Sequence, residues 1–207
     1  MKLESAPAGR TRPARRGPEV RAAILAATLA ELTEKGYAAL TVDNVARRSG
    51  VHKTTIYRRW KDREALVADA FTNLLATRGA PIAGTGNIDA DLRDLARSLV
   101  RWLTSPTGKG VLAAMTSDAA RIPEIADVKY RFFESYFQRA EPVISAAIAR
   151  GEIPAATDPR ELVRTVIAPI HLRFLITAEP IDETTADNAA KVALVAARAG
   201  ALSLPSA

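Results

Sequence analysis

Over one short run, Leu40 to Lys61, the chain reads LTVDNVARRSGVHKTTIYRRWK and concentrates hydroxyl, amine, guanidinium and phenol groups. Ile56 and Trp60, four residues apart, mark the buried side of a helix there. At about 100° per residue, Thr54 and Arg58 then face directly outward, flanked by Thr55 and Tyr57. An outward face that is polar, cationic and aromatic at once suits hydrogen bonding to base edges and phosphates rather than bond-breaking chemistry. Lys53 and Lys61 add point charges at its two ends, and His52 an imidazole just before it.

A second element must hold that face in place. Thr41 is placed to cap a preceding helix, with Asp43 in its positive first turn. Val42, Val45, Ala46 and Ser49 share one side of it, Gly50 supplies the left-handed stop, and Val51 turns back to the core. A helix, a glycine turn and a second helix with one apolar seam make a helix-turn-helix. Its second helix would enter a major groove with Thr54, Thr55 and Arg58 toward bases. Thr41, Lys53, Tyr57 and Lys61 would lie toward phosphates, with Lys61 beside the free N–H groups of the next helix start.

The run resembles the DNA-binding segment of the TetR (tetracycline-repressor) family of bacterial regulators. The entry LTVDNVA, the stretch SGVHKTTIYRRW and the following KDREAL carry the likeness. Where the family often has a Ser or Thr cap this chain has His52, which is either a phosphate or base contact or a tolerated variant. The resemblance implies an all-α protein, a three-helix head joined to a C-terminal helical domain of about nine helices in total. It further implies a homodimer on a palindromic double-stranded operator and a small-molecule effector that releases the DNA by shifting the fourth helix.

Charge supports the placement. Through residue 63 there are 14 Lys and Arg against 6 Asp and Glu, while the remainder holds 15 against 17. The positive excess therefore lies with the helix-turn-helix, as binding to a phosphate backbone requires. Residues 1–17, rich in Pro, Ala, Gly and Arg, are expected to be disordered when free. Arg10, Arg12, Arg15 and Arg16 are spaced either as an arm adding phosphate or minor-groove contacts or as a solubilising tail.

The elements follow in order. Pro18 opens a support helix with Leu25, Thr28, Leu29 and Leu32 inward, ended by Gly36 after Lys35; residues 18–61 form the head. Asp62 caps a connecting helix, residues 62–78, with Leu66, Ala70, Leu74 and Leu75 inward. Gly79 to Asn87 is a turn-rich break, beyond which residues 79–207 make the regulatory and dimerising part. Helices are expected from Ile88 to Leu103, from about Thr107 to Ala120, and from Pro123 to about Ala149 with an interruption or bend at Pro142. After the loop at Gly151, Asp158 and Pro159 start a helix that Pro169 should kink. The last runs from about Glu183 to Ala201.

Five of the eleven aromatic residues, Tyr130, Phe132, Phe133, Tyr136 and Phe137, lie within one helix. Some of them should line a cavity or an interface. The candidate wall is Trp102, Met115, Phe133, Tyr136, His171 and Phe174, with His171 otherwise a core or interface imidazole. The alanines of the last helix, Ala186, Ala189, Ala190, Ala193, Ala196 and Ala197, permit close helix approach. The broad apolar surface of the helix before it points to a four-helix dimer interface.

Other classes find little support. With two His, no Cys, no G-x-S-x-G and no H-E-x-x-H, nothing assembles a catalytic site. Asp89, Asp91 and Asp94 fall in a first helical turn, where carboxylates complement the dipole, so no metal is expected. No phosphate loop exists at 79–87 or 107–110, and no cofactor is called for. No apolar run spans a membrane, and the absence of Cys fits a reducing cytoplasm. The rival to a ligand-released repressor is a non-inducible or architectural DNA-binding protein.

Overall fold

Thr41 does what its position asks: its hydroxyl accepts from the Asn44 N–H at 3.2 Å and starts a short helix. In the computed structural model, which describes residues 17–78, 82, 84–117 and 121–203, the chain is built of helices. Residues 1–16 of the basic arm and residues 79–81 and 83 of the turn after Arg78 lie outside the described residues. The head comprises α1 (Gly17–Ala39), α2 (Val42–Ser49) and α3 (Lys53–Tyr57). Ile24, Leu25 and Leu32 of α1 are buried together with Leu40, Val42, Val45, Ile56 and Trp60. The first helix ends where expected: Gly36 (φ 76°, ψ 171°) leaves helical geometry after Lys35, and a separate short turn carries the span to Ala39.

Charge reinforces the α1–α2 seam. Glu31, 2% exposed, accepts from Lys35 Nζ at 2.9 Å and from Arg48 Nε at 2.8 Å, and Arg48 also forks onto Glu34. The Lys35 hydrogen bond, with help from Arg48, holds the Glu31 carboxyl below its usual range and keeps it ionised.

The connecting helix α4 (Arg63–Arg78) is capped by Asp62, whose carboxylate accepts from the Ala65 N–H at 2.7 Å. Leu66, Val67, Ala70 and Phe71 are fully buried between α1 and the third-last long element, α7 (Pro123–Ala149). Asp69 of α4 binds two parts of the head at once: Arg21 of α1 at 2.6 Å and the Trp60 indole N–H at 3.0 Å. Tyr37 adds a hydrogen bond to Glu64 at 3.1 Å.

Beyond residue 84 come α5 (Ile88–Thr104), α6 (Pro106–Thr116), α7, α8 (Pro159–Leu172), a five-residue π turn (Arg173–Thr177) and α9 (Glu183–Arg198). Asn87 caps α5, accepting from the Ala90 N–H at 3.1 Å. The nearby acids each have their own partner: Asp89 pairs with Arg93, Asp94 with Arg101, and buried Asp91 accepts from Thr85 N–H and hydroxyl. Arg97 clamps α5 to α9 through two 2.7 Å bonds to Asp187.

Several expected boundaries move. The helix α6 stops at Thr116, with Ser117 as its C-cap, and α9 stops at Arg198. α7 is not interrupted at Pro142; the one lost backbone donor is absorbed in a helix of 27 residues. The helix holding Pro169 runs on through Leu172, and the irregularity appears as the π turn after it. The alanine stripe of α9 is spent inside the chain: Ala186, Ala189, Ala190, Ala193 and Ala197 are buried where α9 packs on α5 and α8. What α8, the π turn and α9 leave outside is Leu172, Ile176, Val192 and Val195, 53–75% exposed.

Head and body meet where α1 crosses α6. A Cβ at Gly110 would stand 2.7 Å from the Thr33 Cα, so only glycine allows the two backbones this close. Gly110→Ala is expected to wedge α6 from α1 and cost about 1–3 kcal/mol, read as a lower urea midpoint; an unchanged midpoint would mean the crossing yields freely.

Candidate nucleic-acid interface and the C-terminal aromatic cluster

The turn between α2 and α3 sets the direction of the outward face. Gly50 donates its N–H to Ala46 O, and Val51 folds back against the core, half-buried. His52 occupies the N-cap position of α3 but makes no capping bond with its side chain, so its imidazole stays exposed at the surface. α3 is only five residues long, and Arg58 and Arg59 continue it as a turn, closed by Trp60 N–H donating to Ile56 O at 3.0 Å. Ile56 and Trp60 are buried at 1% and 6% exposure, while Lys53, Thr54, Tyr57 and Arg58 are exposed and Thr55 is half-buried.

Of the sequence-derived set, Thr55 is half-buried and Thr41, His52, Lys53, Thr54, Tyr57, Arg58 and Lys61 are exposed. Three members already have partners within the chain. Thr41 is committed to capping, Lys53 sits 3.3 Å from Asp43, and Lys61 sits 3.2 Å from Glu124 in the first turn of α7. The Glu124 hydrogen bond raises Lys61 above the ordinary ammonium range, so it is fully charged. The Lys61–Glu124 pair joins the head to the C-terminal part across 63 residues of sequence.

Sequence reading passed over Arg47. It is exposed, donates to Asn44 Oδ1 at 2.7 Å, and lines a cleft of about 420 Å³ together with Asp43, Gly50, His52 and Lys53. The signal was present, since Arg47 falls on the face of α2 opposite Val42 and Val45. Arg59 was also passed over; it is exposed and reaches Gly17 O at 3.3 Å, beside the start of α1.

The second set of candidates divides. Trp102 of α5, Phe133 and Tyr136 of α7 and His171 of α8 join one aromatic cluster whose hub is Phe132, 1% exposed. Trp102 lies 4.9 Å from Phe132, Phe133 lies 5.4 Å from His171, and Tyr136 lies 6.3 Å from it. Met115 is buried on α6, and Phe174 is half-buried on the π turn. Of the other aromatic residues on α7, Phe137 lies under the guanidinium groups of Arg160 and Arg164, and Tyr130 is 67% exposed. Burial depresses the His171 pKa and keeps the ring neutral, and Nδ1 lies 2.9 Å from Ile167 O. A carbonyl only accepts, so Nδ1 carries the proton and Nε2 a bare lone pair.

A separate cleft of about 440 Å³ lies between α4 and α7, with Arg131, Glu134, Gln138 and Arg139 on its walls and Leu75 and Pro142 as apolar floor. Among the described residues no helix is long and apolar enough to cross a membrane.

Residues 24–70 match the family model of bacterial regulatory proteins, tetR family, and residues 82–193 match the tetracyclin repressor-like C-terminal domain. The chain is 31% identical over 162 residues to YdeS of Bacillus subtilis, an HTH-type transcriptional regulator, covering 78% of this chain and 81% of that one. It is 32% identical over 157 residues to the HTH-type transcriptional regulator AqdR of Rhodococcus erythropolis, covering 76% and 75%. The fold is similar to that of a TetR transcription regulator from Haloarcula marismortui, with a TM-score of 0.68 at 20% identity, over 90% of this chain and all of that one.

Proposed function

Because the chain belongs to the TetR family of bacterial regulators, and is thus a DNA-binding transcriptional regulator rather than an enzyme, we propose that it is a repressor released from a palindromic operator by a small molecule. Residues 18–61 act as the reading head, 62–78 as the connecting helix and 79–207 as the regulatory and dimerising part. Thr54, Thr55 and Arg58 read base edges. Thr41, Lys53, Tyr57 and Lys61 contact phosphates, joined by Arg47, and His52 contacts either a phosphate or a base. The aromatic cluster forms the effector site, with Met115 and Phe174 as further candidates for its wall.

One observation carries the reading. The exposed face of α3 offers Thr54 and Arg58 outward while Ile56 and Trp60 anchor it from behind. This is the division of labour a recognition helix needs. The exposed apolar side chains Leu172, Ile176, Val192 and Val195 support a homodimer through the last two helices, which would present two heads related by a two-fold axis.

Selection of bound sequences from a random duplex pool tests the proposal. An enriched site with two inverted half-sites is the expected result; no enrichment over random duplex would leave an architectural DNA-binding protein instead. On the selected site, Arg58→Ala is expected to relax preference at one base position at a cost of about 1–3 kcal/mol. Lys61→Ala is expected to weaken all duplexes alike and to shallow the slope of log affinity against log salt by about one. Glu124→Gln should act in the opposite direction, because it removes the carboxylate that competes with phosphate for Lys61; an unchanged affinity in both variants would take Lys61 out of the phosphate set.

A further inference from the structure

His171 presents an acceptor with nothing to accept. Its Nδ1–H is committed to Ile167 O at 2.9 Å, and its Nε2 is shut away from solvent with no hydrogen-bonding protein partner among the described residues. A buried lone pair without a donor is costly in an apolar surrounding. The surrounding is aromatic: the Phe133 ring is 5.4 Å away, tilted by 58°, and the Tyr136 ring, whose hydroxyl is itself buried, 6.3 Å away, nearly perpendicular at 78°. Behind them Phe132 links to Trp102 at 4.9 Å. Trp102, Phe133 and His171 are each half-buried, so the cluster reaches the surface and is not sealed.

We propose that the effector is a planar aromatic molecule carrying one ring O–H or N–H, which donates to Nε2 of His171 while its rings pack among Trp102, Phe133 and Tyr136. This deepens the ligand-responsive reading above and rests on it. Aromatic faces and edges select a flat π-system through offset and edge-to-face contacts. A carboxylate or ammonium group would be stripped of water there without an opposite charge to meet it. A plain acyl chain carries no donor and would leave Nε2 unpaired. The cleft between α4 and α7 sets Arg131 and Arg139 beside Glu134 and so offers charged walls of both signs, which call for different chemistry.

The test is calorimetric titration of the full chain with naphthol, with its methyl ether, which keeps the rings and loses the donor, and with octanoate. Each titration is paired with operator binding. Naphthol is expected to bind roughly tenfold or more tighter than the ether and to weaken operator binding. In His171→Phe, which keeps an aromatic ring and loses the lone pair, that preference should vanish. Equal affinity for naphthol and ether in the wild type overturns the proposal, and that comparison stands even if the variant fails to fold. A preference that survives in His171→Phe overturns it too. Octanoate releasing the operator while naphthol does not bind would overturn the aromatic class and leave the ligand-responsive reading intact. Naphthol binding with the full donor preference and no effect on the operator would support the site but sink its role as a release switch.

Discussion

Trp60→Ala is expected to destabilise the protein by about 3–5 kcal/mol and to abolish operator binding through loss of the folded head. Trp60 is 6% exposed and closes the core formed by Ile24, Leu40, Val45 and Ile56. Alanine would leave a cavity where the indole was, in a unit too small to collapse around it. It would also remove the donor to Asp69 Oδ2, leaving that carboxylate with Arg21. Trp60→Phe separates the two effects, since it restores most of the volume but not the hydrogen bond, and should cost about 1–3 kcal/mol. Urea denaturation of the three proteins reads both numbers. Unchanged stability with lost DNA binding would show that the indole works on the outer surface.

The second large effect concerns assembly. Val192 and Ile176 are 64% and 75% exposed, and a charge placed there costs the isolated chain little, within about 0.5 kcal/mol. In a dimer closed through α8 and α9 the same charge would be buried without a partner, a penalty of about 3–5 kcal/mol. Val192→Glu should therefore weaken self-association on the order of a hundredfold or more while thermal melting of the helices barely moves. Sedimentation equilibrium would show the shift to monomer, and operator affinity would drop because a single head reads a half-site alone. A variant that stays dimeric would place the interface elsewhere.

The head was legible in the sequence because its instructions are local. Thr41 caps three residues ahead, Gly50 stops a helix it directly follows, and Ile56 and Trp60 define a face within one turn. Asp158, expected to start its helix, follows the same logic and accepts from Arg160 N–H at 2.8 Å; Asp182, which spacing did not single out, caps α9 by accepting from Thr185 N–H at 2.8 Å.

Nonlocal partners were not legible. Nothing near Lys61 in the chain announces Glu124, and nothing near Arg97 announces Asp187. The alanines of α9 show the same gap: spacing revealed a stripe built for close approach, but not that α5 and α8 of the same chain would occupy it. The outer stripe of Leu172, Ile176, Val192 and Val195 emerges only when the inner one has been filled. Within the candidate effector site, Phe132 was named with its neighbours yet not singled out, because a helix carrying five rings does not say which of them becomes the hub.

The chain's two tryptophans occupy separate stations, Trp60 hydrogen-bonded to α4 at the base of the reading head and Trp102 against Phe132 in the aromatic cluster. Each indole is thus a built-in optical probe of a different event. Trp102 emission would report on a ligand bound at the proposed effector site, and Trp60 emission on whether the head keeps its hold on Asp69. With Trp60→Phe and Trp102→Phe as single-emitter variants, the time lag between the two signals after mixing would give the transit time of a message from one end of the protein to the other, without any attached dye.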